Sequence, residues 1–226
     1  MRWIRESARK GKRMKDQFSM GNVEIFIKDP LPEEVDPSFV FDYISSRVPF
    51  YLMTGIDIVY VGKFPEMEEK QINAYFENDA IYVTNEQDDE MDMIEDIIHE
   101  ISHSLEQRYG EFIYGDSRLE REFKGKRTRL HQILKDNGYK VPANFSITLE
   151  YDEDIDMFLF QDVTYDVLNQ LVVGLFPSAY AATSVSEYWA KGFEEIFLGD
   201  KEHLRDTCPV LYNIMINLVQ EIKNNT

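Results

Sequence analysis

Apolar side chains at Ile94, Ile97, Ile98, Ile101 and Leu105 recur at i, i+3, i+4, i+7 and i+11, which predicts a helix with one buried stripe. Asp88 or Asp89 supplies an N-cap, the acidic first turn suits the helix dipole, and Tyr109-Gly110 supplies a stop. Upstream the period changes. Val23-Glu24-Ile25-Phe26-Ile27 alternates like a strand and ends at Pro30 and Pro32, and Pro37-Ser38 opens a helix around residues 40–47. Ile56-Asp57-Ile58-Val59-Tyr60-Val61 reads as a second strand closed by Gly62. Ile72 to Phe76 and residues 80–84 flank Glu77-Asn78-Asp79, a tight hairpin connection. Downstream, helical segments are expected over residues 119–137, 163–175, 184–198 and 207–223, with no internal repeat. The fold class is therefore α+β: a small mixed sheet in the N-terminal half, the Ile-striped helix, then a mainly helical C-terminal half.

Length and composition narrow the picture. A chain of 226 residues can bury a substantial core as one domain or two small lobes. With 43% hydrophobic and 13% aromatic residues it is not a disordered chain. No apolar run is long enough to span a membrane. Cys208 is the single cysteine, so neither an internal disulfide nor a cysteine metal cluster is expected, and the default setting is intracellular, with export by a non-classical route left open.

Charge is unevenly spread. The first 15 residues hold seven Lys or Arg against Glu6, a net +6, which leaves −24 on the other 211 residues. Met1-Arg2-Trp3-Ile4-Arg5 begins like a signal n-region, but no apolar h-region follows. Residues 1–20 are read as a basic, flexible arm, and residues 21–226 as a single domain with lobes at about 21–110 and 111–226. The acidic body would repel phosphate backbones, so no nucleic-acid role is expected.

The striped helix also carries chemistry. His99-Glu100-Ile101-Ser102-His103 places two imidazoles four residues apart on one helix face, with a carboxylate beside them. That is the HExxH pattern, in which the two histidines bind zinc and the Glu is the base for an attacking water. The alternative is an ordinary helix with two histidines on its polar flank. A catalytic zinc site normally has three protein ligands. The extension HExxHxxGxxH fails, because Glu106 and Tyr109 stand where Gly and His would be. His131 and His203 are each isolated in surface-like patterns.

Glu187 is the stronger candidate. It lies within Tyr180-Ala181-Ala182-Thr183-Ser184-Val185-Ser186-Glu187-Tyr188-Trp189, entering an aromatic-rich helix. An HExxH helix followed by Tyr-x6-Glu resembles the gluzincin metallopeptidases of the anthrax lethal factor catalytic domain type, an arrangement that the secreted Pro-Pro endopeptidases share. The likeness covers Ala80 to about Leu198. It implies a zincin-like fold and a zinc endopeptidase holding one Zn²⁺ per chain. His99, His103 and Glu187 would be the ligands, Glu100 the base and Tyr180 an auxiliary hydroxyl. Ser184-x-x-Glu187 is also a capping box, in which the carboxylate would bond its own helix start. The relatives tend to carry an acidic residue four positions after the ligand Glu; here it is Lys191, which cannot accept a hydrogen bond from an imidazole. Glu194, Glu195 or a backbone carbonyl would have to replace it.

Asp152-Glu153-Asp154-Ile155-Asp156 starts like an EF-hand loop, but Met157 replaces the needed Gly and Val163 the final Glu, so it is read as a solvated acidic loop. The leading function is hydrolysis of an extended peptide or protein substrate, with the Ile72 to Phe76 strand as the edge on which it would lie. Two rivals remain: a catalytically inactive zinc protein of the same fold used for binding or regulation, and a metal-free acidic interaction protein.

Overall fold

Five short strands form one mixed sheet in the computed structural model, which describes residues 18–226. Most of the basic arm lies outside the described residues; its last three, Phe18–Met20, form β1. Two compact units divide between Ser104 and Leu105.

In the first unit, β1 pairs antiparallel with β2 (Val23–Ile27). The turn between them needs Gly21, whose φ is +63° and whose added Cβ would collide with the Phe50 ring. Helix α1 (Pro37–Arg47) is capped by Asp36, which accepts from the Ser38 amide. Then β3 (Ile58–Val61) joins β2 in parallel. After α2 (Pro65–Lys70) come β4 (Ala74–Glu77) and β5 (Ala80–Val83), giving the order β1-β2-β3-β5-β4. The expected hairpin is present: Asn78 and Asp79 both adopt positive φ, +52° and +59°, between antiparallel β4 and β5. Strand β4 starts two residues later than Ile72, because Gln71 ends α2 in a left-handed conformation and the Ile72 amide donates to Met67.

One face of the sheet, bearing Val23, Ile25, Val59, Val61, Ile81 and Val83, is buried. On the other face Phe26, Tyr60, Tyr82 and Tyr75 occupy matching registers on four successive strands. Their ring centroids are spaced 6.1, 5.2 and 4.6 Å, a continuous aromatic row.

Helix α3 (Glu90–Tyr114) begins where Asp89 accepts from the amides of Met91 and Asp92, at 2.7 and 3.1 Å. Its predicted stripe is buried throughout. At the expected stop, Tyr109 leaves helical geometry (φ −119°, ψ 22°), yet the helix resumes and runs to Tyr114.

The second unit is helical. Helix α4 (Arg118–Asp136) buries Leu119, Phe123, Arg127, Leu130 and Leu134. The acidic segment is a helix, α5 (Glu153–Met157), rather than a loop, because Asp152 accepts the Ile155 amide and caps it. A π-helical turn (Phe158–Val163) follows, and Thr164 at φ +69° separates it from α6 (Tyr165–Leu171), so the expected helix over 163–175 is interrupted. A 3₁₀ turn (Tyr180–Ala182) leads into α7 (Val185–Phe197). A short helix that the sequence reading lacks, α8 (Lys201–Thr207), ends at Cys208, and the last predicted helix is α9, starting at Pro209 (Pro209–Asn225). Gly192 lets α7 and α9 approach closely, since a Cβ there would lie 2.5 Å from Leu211 Cδ2. Among the described residues no helix is long and apolar enough to cross a membrane.

Candidate metal centre

His99 and His103 share one face of α3 because they are four residues apart on unbroken helix. Their Nε2 atoms lie 3.2 Å apart, and both rings are half-buried. Glu100, next to the first histidine, is only 6% exposed. The hydroxyl of Ser102 donates back to the His99 carbonyl at 2.6 Å. One donor atom each from His99, His103 and Glu187 lies within 4.8 Å of the others, and this is the only such group of three or more His, Cys, Asp or Glu among the described residues.

The donors suit zinc. Tetrahedral ligands at roughly 2.0–2.1 Å from Zn²⁺ stand about 3.3 Å apart, close to the separation of the two imidazole nitrogens. Two neutral imidazoles and one carboxylate are also the donor chemistry of catalytic zinc sites. The three residues that would hold the ion are therefore His99, His103 and Glu187.

Glu187 reaches this place through its helix start. Ser184 is the N-cap of α7, and its hydroxyl accepts the Glu187 amide at 3.1 Å. The serine half of the capping box is thus formed, while the Glu187 carboxylate lies with the imidazoles. Tyr180 opens the preceding 3₁₀ turn and is 37% exposed, with its ring 6.4 Å from that of Tyr165. Partial burial, then the charge of Glu187, hold its hydroxyl well above the ordinary phenol range, so it stays protonated. Tyr165 is itself tied down, donating to Asp156 at 3.2 Å.

Lys191 forms an ion pair with Glu194 at 2.8 Å. Glu195 accepts the Asp200 amide at 3.0 Å. His131 lies beside Phe145 and Ser146, and His203 is an exposed residue near Thr207. Neither belongs to the group formed with Glu187.

Two residues escape the sequence reading. Glu106, at the position where Gly would extend the motif, accepts from Ser186 at 2.7 Å and from the Tyr114 hydroxyl. Arg127 donates through Nη1 to the carbonyls of Ala182 and Thr183, at 2.7 and 3.1 Å. The signal for Arg127 was its register: it falls four after Phe123 and three before Leu130, inside the apolar stripe of α4. Burial lowers its pKa to about 10, which leaves it cationic at neutral pH.

Comparison with protein-family models, with curated proteins and with solved structures finds no match to this chain.

Proposed function

We propose that this chain is a zinc-dependent endopeptidase of gluzincin type with a zincin-like fold. The observation that carries the reading is the gathering of His99, His103 and Glu187 donors within 4.8 Å, with Glu100 beside the first histidine. Bound there, a zinc ion would bring the pKa of a coordinated water towards neutrality and polarise the scissile carbonyl. Glu100 takes the proton of the attacking water and later delivers it to the leaving amine. Tyr180, held protonated, donates a hydrogen bond to the oxygen that gains charge as the carbonyl is attacked. The substrate lies extended along β4, one of the two edge strands of the sheet among the described residues, and adds to it as a further strand.

The test is metal content together with turnover. Purified protein should hold one equivalent of zinc and cleave members of a peptide library. Alanine at His99, His103 or Glu187 should abolish both. Wild-type protein that takes up no zinc overturns the reading; protein that holds zinc but cleaves nothing leaves the non-catalytic zinc protein in its place.

A further inference from the structure

Arg127 is fully buried, and its Nε and Nη2 make no hydrogen bond among the described residues. Among the described residues no carboxylate is bonded to it; the charge of Asp152 favours its cationic form through space. Its guanidinium lies 4.0 Å from the centre of the Phe145 ring and 5.4 Å from that of Phe123. A buried charge is costly unless it is paired and hydrogen-bonded, so its presence here calls for a specific requirement. Here the requirement is two buried main-chain carbonyls, those of Ala182 and Thr183, which both accept from Nη1.

Those carbonyls occupy a particular place. They stand at the junction where the 3₁₀ turn opened by Tyr180 passes into the helix capped by Ser184. On the upstream side, the Thr183 amide and hydroxyl both donate to the Tyr180 carbonyl, at 3.0 and 2.8 Å. On the downstream side, Ser184 holds the Glu187 amide. The stretch from Tyr180 to Glu187 is therefore tied within itself, and Arg127 fastens its middle to α4.

We propose that Arg127 is a positioning residue that fixes the Tyr180–Glu187 stretch to α4 and so sets where the Tyr180 hydroxyl and the Glu187 carboxylate lie. The assignment of roles to those two groups rests on the metallopeptidase reading above. Arg127 hydrogen-bonds to neither of them, its bonds to this stretch being to the Ala182 and Thr183 carbonyls. An apolar side chain of equal size would fill the space and leave the two carbonyls without their donor.

The experiment is hydrogen–deuterium exchange of residues 182–188 together with zinc affinity, in wild type, Arg127→Met and Phe145→Leu. In Arg127→Met, exchange of this stretch should rise at least tenfold while α9 stays protected, and zinc should bind at least tenfold more weakly. Phe145→Leu keeps the cation and removes the ring on which it lies. It should move both quantities in the same direction by a smaller factor, and it serves alone if Arg127→Met does not fold. Exchange that rises uniformly over the second unit, or stays at the wild-type level in 182–188, overturns the proposal. Exchange is read without metal, so a wild type that binds no zinc sinks the peptidase reading while the anchoring role is still judged.

Discussion

Glu106 Oε2 accepts a hydrogen bond from the Ser186 hydroxyl at 2.7 Å, and its other oxygen accepts from Tyr114. Glu106 stands three residues beyond His103 on α3, and Ser186 immediately precedes Glu187. One carboxylate thereby ties the helix of the histidine pair to the start of the helix that carries the third donor. Glu106→Ala should weaken zinc binding by roughly 10–100-fold, the usual effect of losing support around a metal ligand. Titration against a competing chelator measures it, and unchanged affinity would remove Glu106 from the site.

Metal removal should also be felt as lost stability. At free zinc one hundred times the dissociation constant, binding stabilises the folded chain by about 2.7 kcal/mol. Chelation should then lower Tm by roughly 5–10 °C, with recovery when zinc is returned. Calorimetry with and without chelator checks this, and no shift would argue against a bound ion.

Glu100→Gln keeps the shape of the side chain but cannot take a proton. Zinc content should stay at one equivalent while turnover falls by roughly 10²–10⁴-fold. Tyr180→Phe should lower kcat by roughly 10²–10³-fold with KM nearly unchanged, because its donor acts on charge that develops only during reaction. Steady-state kinetics on one cleaved peptide separates the two effects.

Alkaline pH gives a test that needs no substrate. Burial, then the charge of Glu66, raises the Tyr75 pKa to about 12. Burial, then a hydrogen bond to Asp156, raises that of Tyr151 to about 12 as well. Tyr165 and Tyr180 shift in the same direction. In the unfolded chain phenols ionise near their ordinary value of about 10. These groups therefore contribute stability that is intact below about pH 10 and is lost as pH rises towards 12. Phenolate absorbance of native protein at pH 11 should fall short of that expected for all 13 tyrosines, and urea midpoints should fall between pH 10 and 12.

Glu122 accepts from the Tyr188 hydroxyl at 2.9 Å and from the amides of Val210 and Leu211, both at 3.0 Å. It thus joins α4 to α7 and to the start of α9. Glu122→Ala should destabilise the second unit by about 2–3 kcal/mol, since donors to a charged acceptor are left unmet. Urea unfolding followed by far-ultraviolet dichroism reads that loss.

Much of this fold was legible because local spacing decides it. The stripe from Ile94 to Leu105 had to be one helix face, and the Asn78-Asp79 turn had to close a hairpin. Breaks made by backbone conformation were not legible. Nothing in the apolar spacing of residues 163–175 announces that Thr164 takes a positive φ. The acidic run at 152–156 reads as a solvated loop once Met157 and Val163 break the EF-hand pattern, whereas Asp152 caps a helix there. Strand order was equally out of reach, since parallel pairing of β2 with β3 and of β3 with β5 depends on contacts distant in sequence. For the site, the His99/His103 pair follows from helix geometry alone. Glu187 entered only through a resemblance, because sequence spacing cannot say which remote carboxylate meets a helix face. Arg127 belongs to no motif, and only its buried carbonyl partners reveal what it does.

The ladder of rings from Phe26 through Tyr60 and Tyr82 to Tyr75 gives the sheet an optical signature of its own. Closely stacked tyrosines couple electronically, and the coupling vanishes once neighbouring strands part. The part of the near-ultraviolet dichroism that arises from this coupling should therefore follow the opening of the sheet, while the far-ultraviolet signal follows the helices. Following both signals through heating or denaturant would then show whether the sheet opens before, with or after the loss of helix.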